Sequence, residues 1–369
     1  MRTRNIILSI TVMVFLLSNH YYNADAASGL PNSPEFGYGV SLSTSGQQIS
    51  RAMAIAPELG IDWIAVNFDW ASLWPNHDQE PDLSALFGVI ENARQNKINI
   101  LLSITEPPTW AMSLNGPDPD STTAITLSIV AKYPDTVLAV ELFPGANTET
   151  GWGMAPNPDA YIGLIQNVRN AIANQNLRTQ VIPGLRVLSG SADSANIEDL
   201  VFLKKFYEAD LPTPIVGLIY PETIGQPFSE PTQSEPDVLR HYEIVRNFML
   251  QNNHRTDLIW ITGFSWPIQL VSAEEQAAWV YDAYKLLKAQ LYIGAAFFNS
   301  LNPPSPEGAD FGSASLVLAD GSLHPAGNQL RKVTSTTGET VDASMVVPQT
   351  QRRITKKHMH KTITKRPSS

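Results

Sequence analysis

The chain has 369 residues, 43% of them apolar, and a formal net charge of −10. That apolar share supports a large core, and α/β barrels reach this length as one domain. The acid excess argues against a nucleic-acid partner, and the absence of cysteine means that the fold does not rely on disulfides.

Residues 1–26 read as a signal peptide. Arg2 and Arg4 form a charged start, Ile6 to Leu17 an apolar core, and Ala24-Asp25-Ala26 a small-residue cleavage site. The apolar core is too short to span a bilayer of about 30 Å comfortably, so a secreted or extracytoplasmic protein is expected, with a retained N-terminal anchor as the alternative. From Ala27 to Thr350 there are 16 Lys and Arg against 34 Asp and Glu, a net of −18, whereas Gln351 to Ser369 hold seven Lys and Arg and no acid. The acidic body suits neutral ligands. The basic tail, taken as 336–369, is Ser/Thr-rich and lacks apolar periodicity, so disorder is expected there, with contact to an anionic cell-envelope surface as one role. His358 and His360 lie in it and are not read as a metal site.

Between them, 27–335 alternates strand and helix. Phe36–Leu42 is the first strand, followed by a helical pattern from Gln47 to Leu59 that stops at Gly60. Trp63–Phe68 is the second strand, with Asp69, Trp70 and Trp74 at its exit, and Asp82 precedes a helix over Leu83–Gln95. Ile98–Thr105 is the third strand, closed by Glu106 and the Pro-Pro-Thr-Trp-Ala run through Trp110, and Ser121–Lys132 is the next helix. Thr136–Phe143 is the fourth strand and ends in Pro144-Gly145-Ala146-Asn147. A helix over Asn157–Asn174, with Pro158 near its start, leads to strand five at Thr179–Leu185. Ile197–Glu208 (helix), Ile215–Tyr220 (strand six), Asp237–Gln251 (helix), Leu258–Thr262 (strand seven), Ala273–Leu291 (helix) and Tyr292–Phe298 (strand eight) follow, and the Gly321–Lys332 segment closes the barrel. Eight such alternations with short loops predict a single-domain (β/α)8 TIM barrel. No Gly-rich phosphate turn follows the first strand, which counts against a dinucleotide-binding fold. In a barrel the chemistry sits at the C-terminal strand ends.

With the strands placed, the chain resembles clan A glycoside hydrolases, nearest the β-xylosidase and cellulase-like families, over roughly Phe36 to Val333. The segments that carry the resemblance are LGIDWIAVNFDWASLWP, LLSITEPPTWA, LRHYEIVRNFML with LIWITGFSWP, and LADGSLHPAGNQL. In that family strand four ends in a Trp-Asn-Glu-Pro-type motif bearing the acid/base, and strand seven in Thr-Glu-x-Gly-Trp bearing the nucleophile. Retaining chemistry needs these carboxyls about 5 Å apart. The resemblance puts the acid/base position on Gly145 and the nucleophile position on Gly263. Glycine can neither protonate a leaving oxygen nor attack an anomeric carbon, and two glycines are expected to leave a hole where two carboxylates would sit. The resemblance therefore implies a catalytically impaired pseudoglycosidase that binds an oligo- or polysaccharide.

The fallback acids for an active hydrolase are Glu106, Glu149 and Glu222, all expected at the C-terminal rim, since an inverting pair tolerates about 6.5–9.5 Å. Asp310 is a further rim acid. Glu141, inside strand four, is read as holding a hydrogen-bond network. Its counterpart in the family is often acidic and not catalytic. Expected ligand contacts are Asp69, Trp70, Trp74, Trp110, Asn147, Trp152, Tyr220, Trp266, Phe298 and Asn299, since flat rings stack on sugar faces while amides and acids bond hydroxyls. His241, beside Arg240, is read as structural and far from the rim. No His/Asp/Glu cluster has metal spacing and no nucleophile elbow occurs, so no cofactor is expected. A structural envelope protein attached by its tail is the third reading.

Overall fold

The computed structural model describes residues 35–44, 49–188, 193–221, 225–232, 238–302, 314–318 and 320–336. The expected signal peptide, nearly all of the basic tail, Glu222 and Asp310 lie outside the described residues.

Eight strands form one closed parallel barrel: β1 Gly37–Ser43, β2 Trp63–Asp69, β3 Asn99–Thr105, β4 Val137–Leu142, β5 Gln180–Arg186, β6 Ile215–Ile219, β7 Leu258–Phe264 and β8 Ile293–Phe298. Each pairs with its neighbour in sequence, and β8 closes on β1 through Gly37↔Ala295 to Val40↔Phe298. The intervening helices are α1 Ile49–Ile55, α2 Ser84–Gln95, α3 Pro119–Val130, α4 Pro158–Asn174, α5 Asp199–Glu208, α6 Tyr242–Gln251 and α7 Ala273–Lys288, with α8 Pro325–Ser335 after β8. This is the (β/α)8 TIM barrel that the alternation predicts. Among the described residues no helix is long and apolar enough to cross a membrane.

Local chemistry sets the boundaries. The α1 segment tightens into a 3-10 turn at Ala56–Leu59 and ends at Gly60, which takes the left-handed conformation expected of a C-cap. The Asn157 side chain accepts from Ala160 N at 3.1 Å and so caps α4 ahead of Pro158. Ser272 and Glu275 form a reciprocal capping box on α7. The helix expected from Asp237 begins later. A 3-10 turn, Leu239–His241, precedes α6.

Two apolar layers result from the period-2 alternation of each strand. One side packs under the helices, where Val40, Val66, Leu102, Val140, Leu218 and Ile261 are all fully buried. The other fills the barrel with Trp63, Ala65, Leu101, Ala139, Ile182, Trp260, Ala295 and Phe297. Trp63 and Trp260, near the N-terminal ends of β2 and β7, meet edge to face at 5.0 Å and plug the floor. With the floor closed, the C-terminal strand ends are the side on which this fold carries its chemistry.

Candidate functional site

The exit of β4 folds back on β5. Phe143 (φ 50°) and Gly145 (φ 79°) both take positive φ, and Gly145 N donates to Gly184 O at 3.1 Å. The Gly145 carbonyl accepts from Thr148 N and from Thr148 Oγ1, both at 2.8 Å. A side chain on Gly145 would meet Arg186 Cβ at 3.5 Å and Thr148 Oγ1 at 3.6 Å, ordinary contacts. Space is therefore present, but the backbone favours glycine.

Gly263 lies at a bulge. Ile219 of β6 pairs with Gly263 while Leu218 pairs with Ile261, so Thr262 is the extra residue of β7. An added Cβ on Gly263 would lie 2.7 Å from Ile219 Cγ1 and 3.0 Å from Asn299 Nδ2. This corrects the expected hole. Ile219 and Asn299 already fill the space beside Gly263, and none stands open for a carboxylate. Restoring acids at both positions is therefore expected to fail. Gly145→Glu puts an L-residue at positive φ, at a cost of about 1–2 kcal/mol, and Gly263→Glu must displace Ile219. The double variant should melt several degrees lower and release no reducing ends, and a melting curve with a sugar-release assay checks both.

Below these positions sits Glu141, 1% exposed. Thr262 Oγ1 donates to Oε1 at 2.7 Å and Ser103 Oγ to Oε2 at 3.3 Å, tying β4 to β7 and β3 across the barrel. Burial outweighs those bonds and pushes the carboxyl up to about 7. Gly184 and Gly217 make the room, since a Cβ on either would stand 2.5 Å from Glu141 Oε1. Gly184→Ala is expected to destabilise the fold by about 1–3 kcal/mol, as overpacking does, with partial recovery in Gly184→Ala/Glu141→Ala. Denaturant unfolding of the three variants checks this, and strict additivity would count against the contact.

Most of the expected aromatic contacts are core, a correction to the stacking reading. Trp70, Trp152, Trp266 and Phe298 are at most 1% exposed and Tyr220 is 4% exposed. Trp152 packs edge to face on Phe143 and Tyr161 and donates to Asn115 O. The Tyr220 hydroxyl donates to Leu239 O and accepts from Tyr242 N, and Trp266 Nε1 donates to Gly225 O. These rings seal the top of the helical layer, where their apolar area is worth more buried than displayed. Trp74 and Trp110 are half-buried, 4.7 Å apart, with His77 stacked on Trp74 at 5.9 Å. They form a short aromatic platform at the β2–β3 side of the rim.

The polar expectations divide. Asn147 is fully buried, and its amide bonds Arg186 N, Arg186 O and Ile197 O, so it staples β4 to β5 and cannot bond a sugar hydroxyl. Asp69 caps the turn Trp70–Leu73 through Ser72 N and Oγ. Glu106 and Glu149 are exposed. Asn299 is half-buried beside Gly263. His241, read as structural, is buried with its Nε2 2.7 Å from Asp199 Oδ2. It is not far from the rim, however. Its 3-10 turn accepts the Tyr220 hydroxyl just past the end of β6. Sequence reading missed Arg186, Ile219 and His77. Strand alternation from Ile182 and Ile215 would have pointed to the first two, whereas nothing marked His77. Among the described residues no group of three His, Cys, Asp or Glu is placed to hold a metal. A cleft of about 440 Å³ at the opposite end of the barrel, lined by Arg94, Lys97, Lys132 and Asp135 among others, lies away from the end that carries chemistry in this fold.

No protein-family profile and no curated protein matches the sequence. Solved structures do. A family 39 glycoside hydrolase from the gut symbiont Bacteroides cellulosilyticus WH2 superposes with a TM-score of 0.62 at 14% identity, over 84% of this chain and 64% of that one. The GH39 enzyme from Xanthomonas axonopodis pv. citri gives 0.62 at 16% identity, over 86% and 69%. GH5_18 from Streptomyces cattleya, solved in complex with GlcNAc, gives 0.63 at 13% identity, over 85% and 83%. The chain shares the (β/α)8 barrel fold of these glycoside hydrolases. It spans 64% of the length of the Bacteroides enzyme, and at these identities the likeness is one of fold, not of activity. Of the rim acids expected from the sequence, those among the described residues are Asp69, held by Ser72, and the exposed Glu106 and Glu149.

Proposed function

We propose that the protein is a secreted, catalytically impaired glycosidase-like barrel that binds a glycan at its open end. The observation that carries this reading is the pair of strand exits. Where the resemblance expects an acid/base and a nucleophile stand Gly145, in a backbone conformation that favours glycine, and Gly263, with Ile219 and Asn299 in its side-chain space. The Trp74–Trp110 platform supports a carbohydrate ligand, because half-buried indoles offer apolar faces to sugar C–H surface. Secretion rests on the N-terminal charged, apolar and small-residue sequence.

The test scores plant, bacterial and algal glycans for both binding and release of reducing ends by the purified chain. Binding without release is the expected result. Release at ordinary enzymatic rates, abolished by Glu106→Gln or Glu149→Gln, would show an active hydrolase with relocated acids. Trp74→Ala and Trp110→Ala should each weaken glycan binding and, because both indoles also pack against the core, each should lower the melting temperature as well. Unchanged glycan binding by variants that remain folded would make the platform structural.

A further inference from the structure

The rim carries a charge for which the hydrolase resemblance makes no provision. From β4 round to β8 the strand exits present Gly145, Arg186, Ile219, Gly263 and Asn299. Arg186 pairs with Ile219, and Ile219 with Gly263. Arg186 thus stands between the two positions where the resemblance expects carboxylates, its Cβ 3.5 Å from where a Gly145 side chain would begin. It shares a strand face with Ile182 and Gly184, which line the barrel interior, so alternation aims it into the mouth. The side chain is exposed, and no described carboxylate lies within salt-bridge reach of it. Its backbone is nonetheless fixed. Asn147 Oδ1 accepts from Arg186 N at 2.8 Å and Asn147 Nδ2 donates to Arg186 O at 3.0 Å, from a fully buried side chain. Across the bulge, the Asn299 amide has no hydrogen-bond partner among the described residues and flanks Gly263.

We propose that Arg186 binds the carboxylate of an acidic sugar, so that the glycan taken by this mouth carries uronate residues. The inference rests on the carbohydrate-binding reading above and narrows it. A guanidinium offers two parallel N–H donors that match a carboxylate, and the charge-assisted pair is strong and planar. A glutamate at Gly145 would compete for that fork and repel a uronate, and glycine does neither. Glycine at 145 and the guanidinium of Arg186 beside it thus favour an acidic sugar at the same place. The net acidity of the body favours neutral ligands at long range, but at about 0.15 M salt the Debye length is only about 8 Å. A guanidinium in contact with the ligand then outweighs distant carboxylates. Asn299 supplies a donor for a ring hydroxyl on the opposite side.

The test is calorimetric titration of the full chain, at about 0.15 M salt, with oligogalacturonate, oligoalginate and glucuronoxylan fragments, each beside its carboxyl-reduced counterpart. The expected result is that at least one acidic oligomer binds about tenfold or more tighter than its reduced form, the size of a charge-assisted pair. Arg186→Gln should erase that preference without changing affinity for the reduced form, and Arg186→Lys should keep only part of it. The Arg186→Gln melting curve should match the parent, because Asn147 holds the backbone and not the guanidinium. Equal or tighter binding of the reduced oligomers, or an acid preference that survives Arg186→Gln, would overturn the inference and leave the carbohydrate reading standing. A sulfated, uronate-free oligomer is titrated as well, and tighter binding of it than of every uronate would overturn the carboxylate assignment. Binding of no oligomer of either kind would overturn the acidic-sugar inference, while the carbohydrate reading stands or falls on the wider glycan panel.

Discussion

Replacing Glu141 by glutamine is expected to flatten the pH dependence of folding stability between about pH 4.5 and 7. Glu141 is 1% exposed, and burial raises its carboxyl from 4.5 to about 7 in the folded state. In the unfolded chain it returns to the ordinary value. Between those two values the folded state holds more protons than the unfolded state, so stability falls as pH rises. The group's contribution is fully present below about pH 4.5 and is lost by about pH 7. At about 1.4 kcal/mol per pH unit, the loss comes to roughly 3 kcal/mol. Glutamine keeps the shape and can accept the Thr262 hydroxyl, and it does not ionise. The parent protein should therefore lose stability relative to Glu141→Gln as pH rises, and the variant should be the more stable at pH 7.5.

The comparison isolates one group, because the other titrating carboxylates are common to both proteins. Asp62 and Asp282, both raised by burial, and Glu91, lowered by Arg94, contribute equally to each curve. Urea unfolding followed by tryptophan fluorescence at four pH values, with eight Trp as reporters, gives the difference directly. Parallel curves for parent and variant would show that Glu141 ionises in the fold as freely as in the unfolded chain. A variant that instead loses several kcal/mol at every pH would show that Thr262 and Ser103 depend on a carboxyl and not merely on an acceptor.

What the sequence disclosed follows from what is local and periodic. Strand alternation and cap residues such as Gly60 and Asn157 depend on neighbours a few positions away, and the barrel could be read from them. The interior layer was only partly legible. Glu141 stood out as an acid in an apolar strand, but its partners Ser103 and Thr262 lie 38 and 121 residues away. The glycines that make room for it, Gly184 and Gly217, gave no sign of why they were there. The rim was harder still. An indole near a strand exit can face the cleft or seal the helical layer, and composition does not separate Trp74 from Trp152. Burial separates them, and burial depends on long-range packing. The bulge at Thr262 is also a tertiary feature, and it lets Ile219 occupy the space beside Gly263.

Asn147→Ala is expected to cost roughly 3 kcal/mol or more, because it strips partners from three backbone groups at once. The lost partners are those of Arg186 N–H, Arg186 C=O and Ile197 C=O, all bonded by one buried amide. Each such group left buried and unpaired costs about 1–3 kcal/mol. The site follows a Pro-Gly turn, where asparagine is ordinarily exchangeable with aspartate. Asn147→Asp separates the roles. A simple turn residue would tolerate aspartate, and a hydroxyl-binding residue would lose affinity at an unchanged melting temperature. In the staple seen here, aspartate keeps the acceptor for Arg186 N–H but turns a carboxylate onto two carbonyls that need donors, so it should destabilise at least as much as alanine. Thermal unfolding of both variants decides among the three, and a parent-like melting curve for Asn147→Asp would rule out the staple. Because Asn147 also fixes the backbone of Arg186, both variants should broaden acidic-sugar discrimination to the extent that they remain folded, while Arg186→Gln removes it without touching stability. The two residues thereby separate holding the mouth in shape from what the mouth recognises.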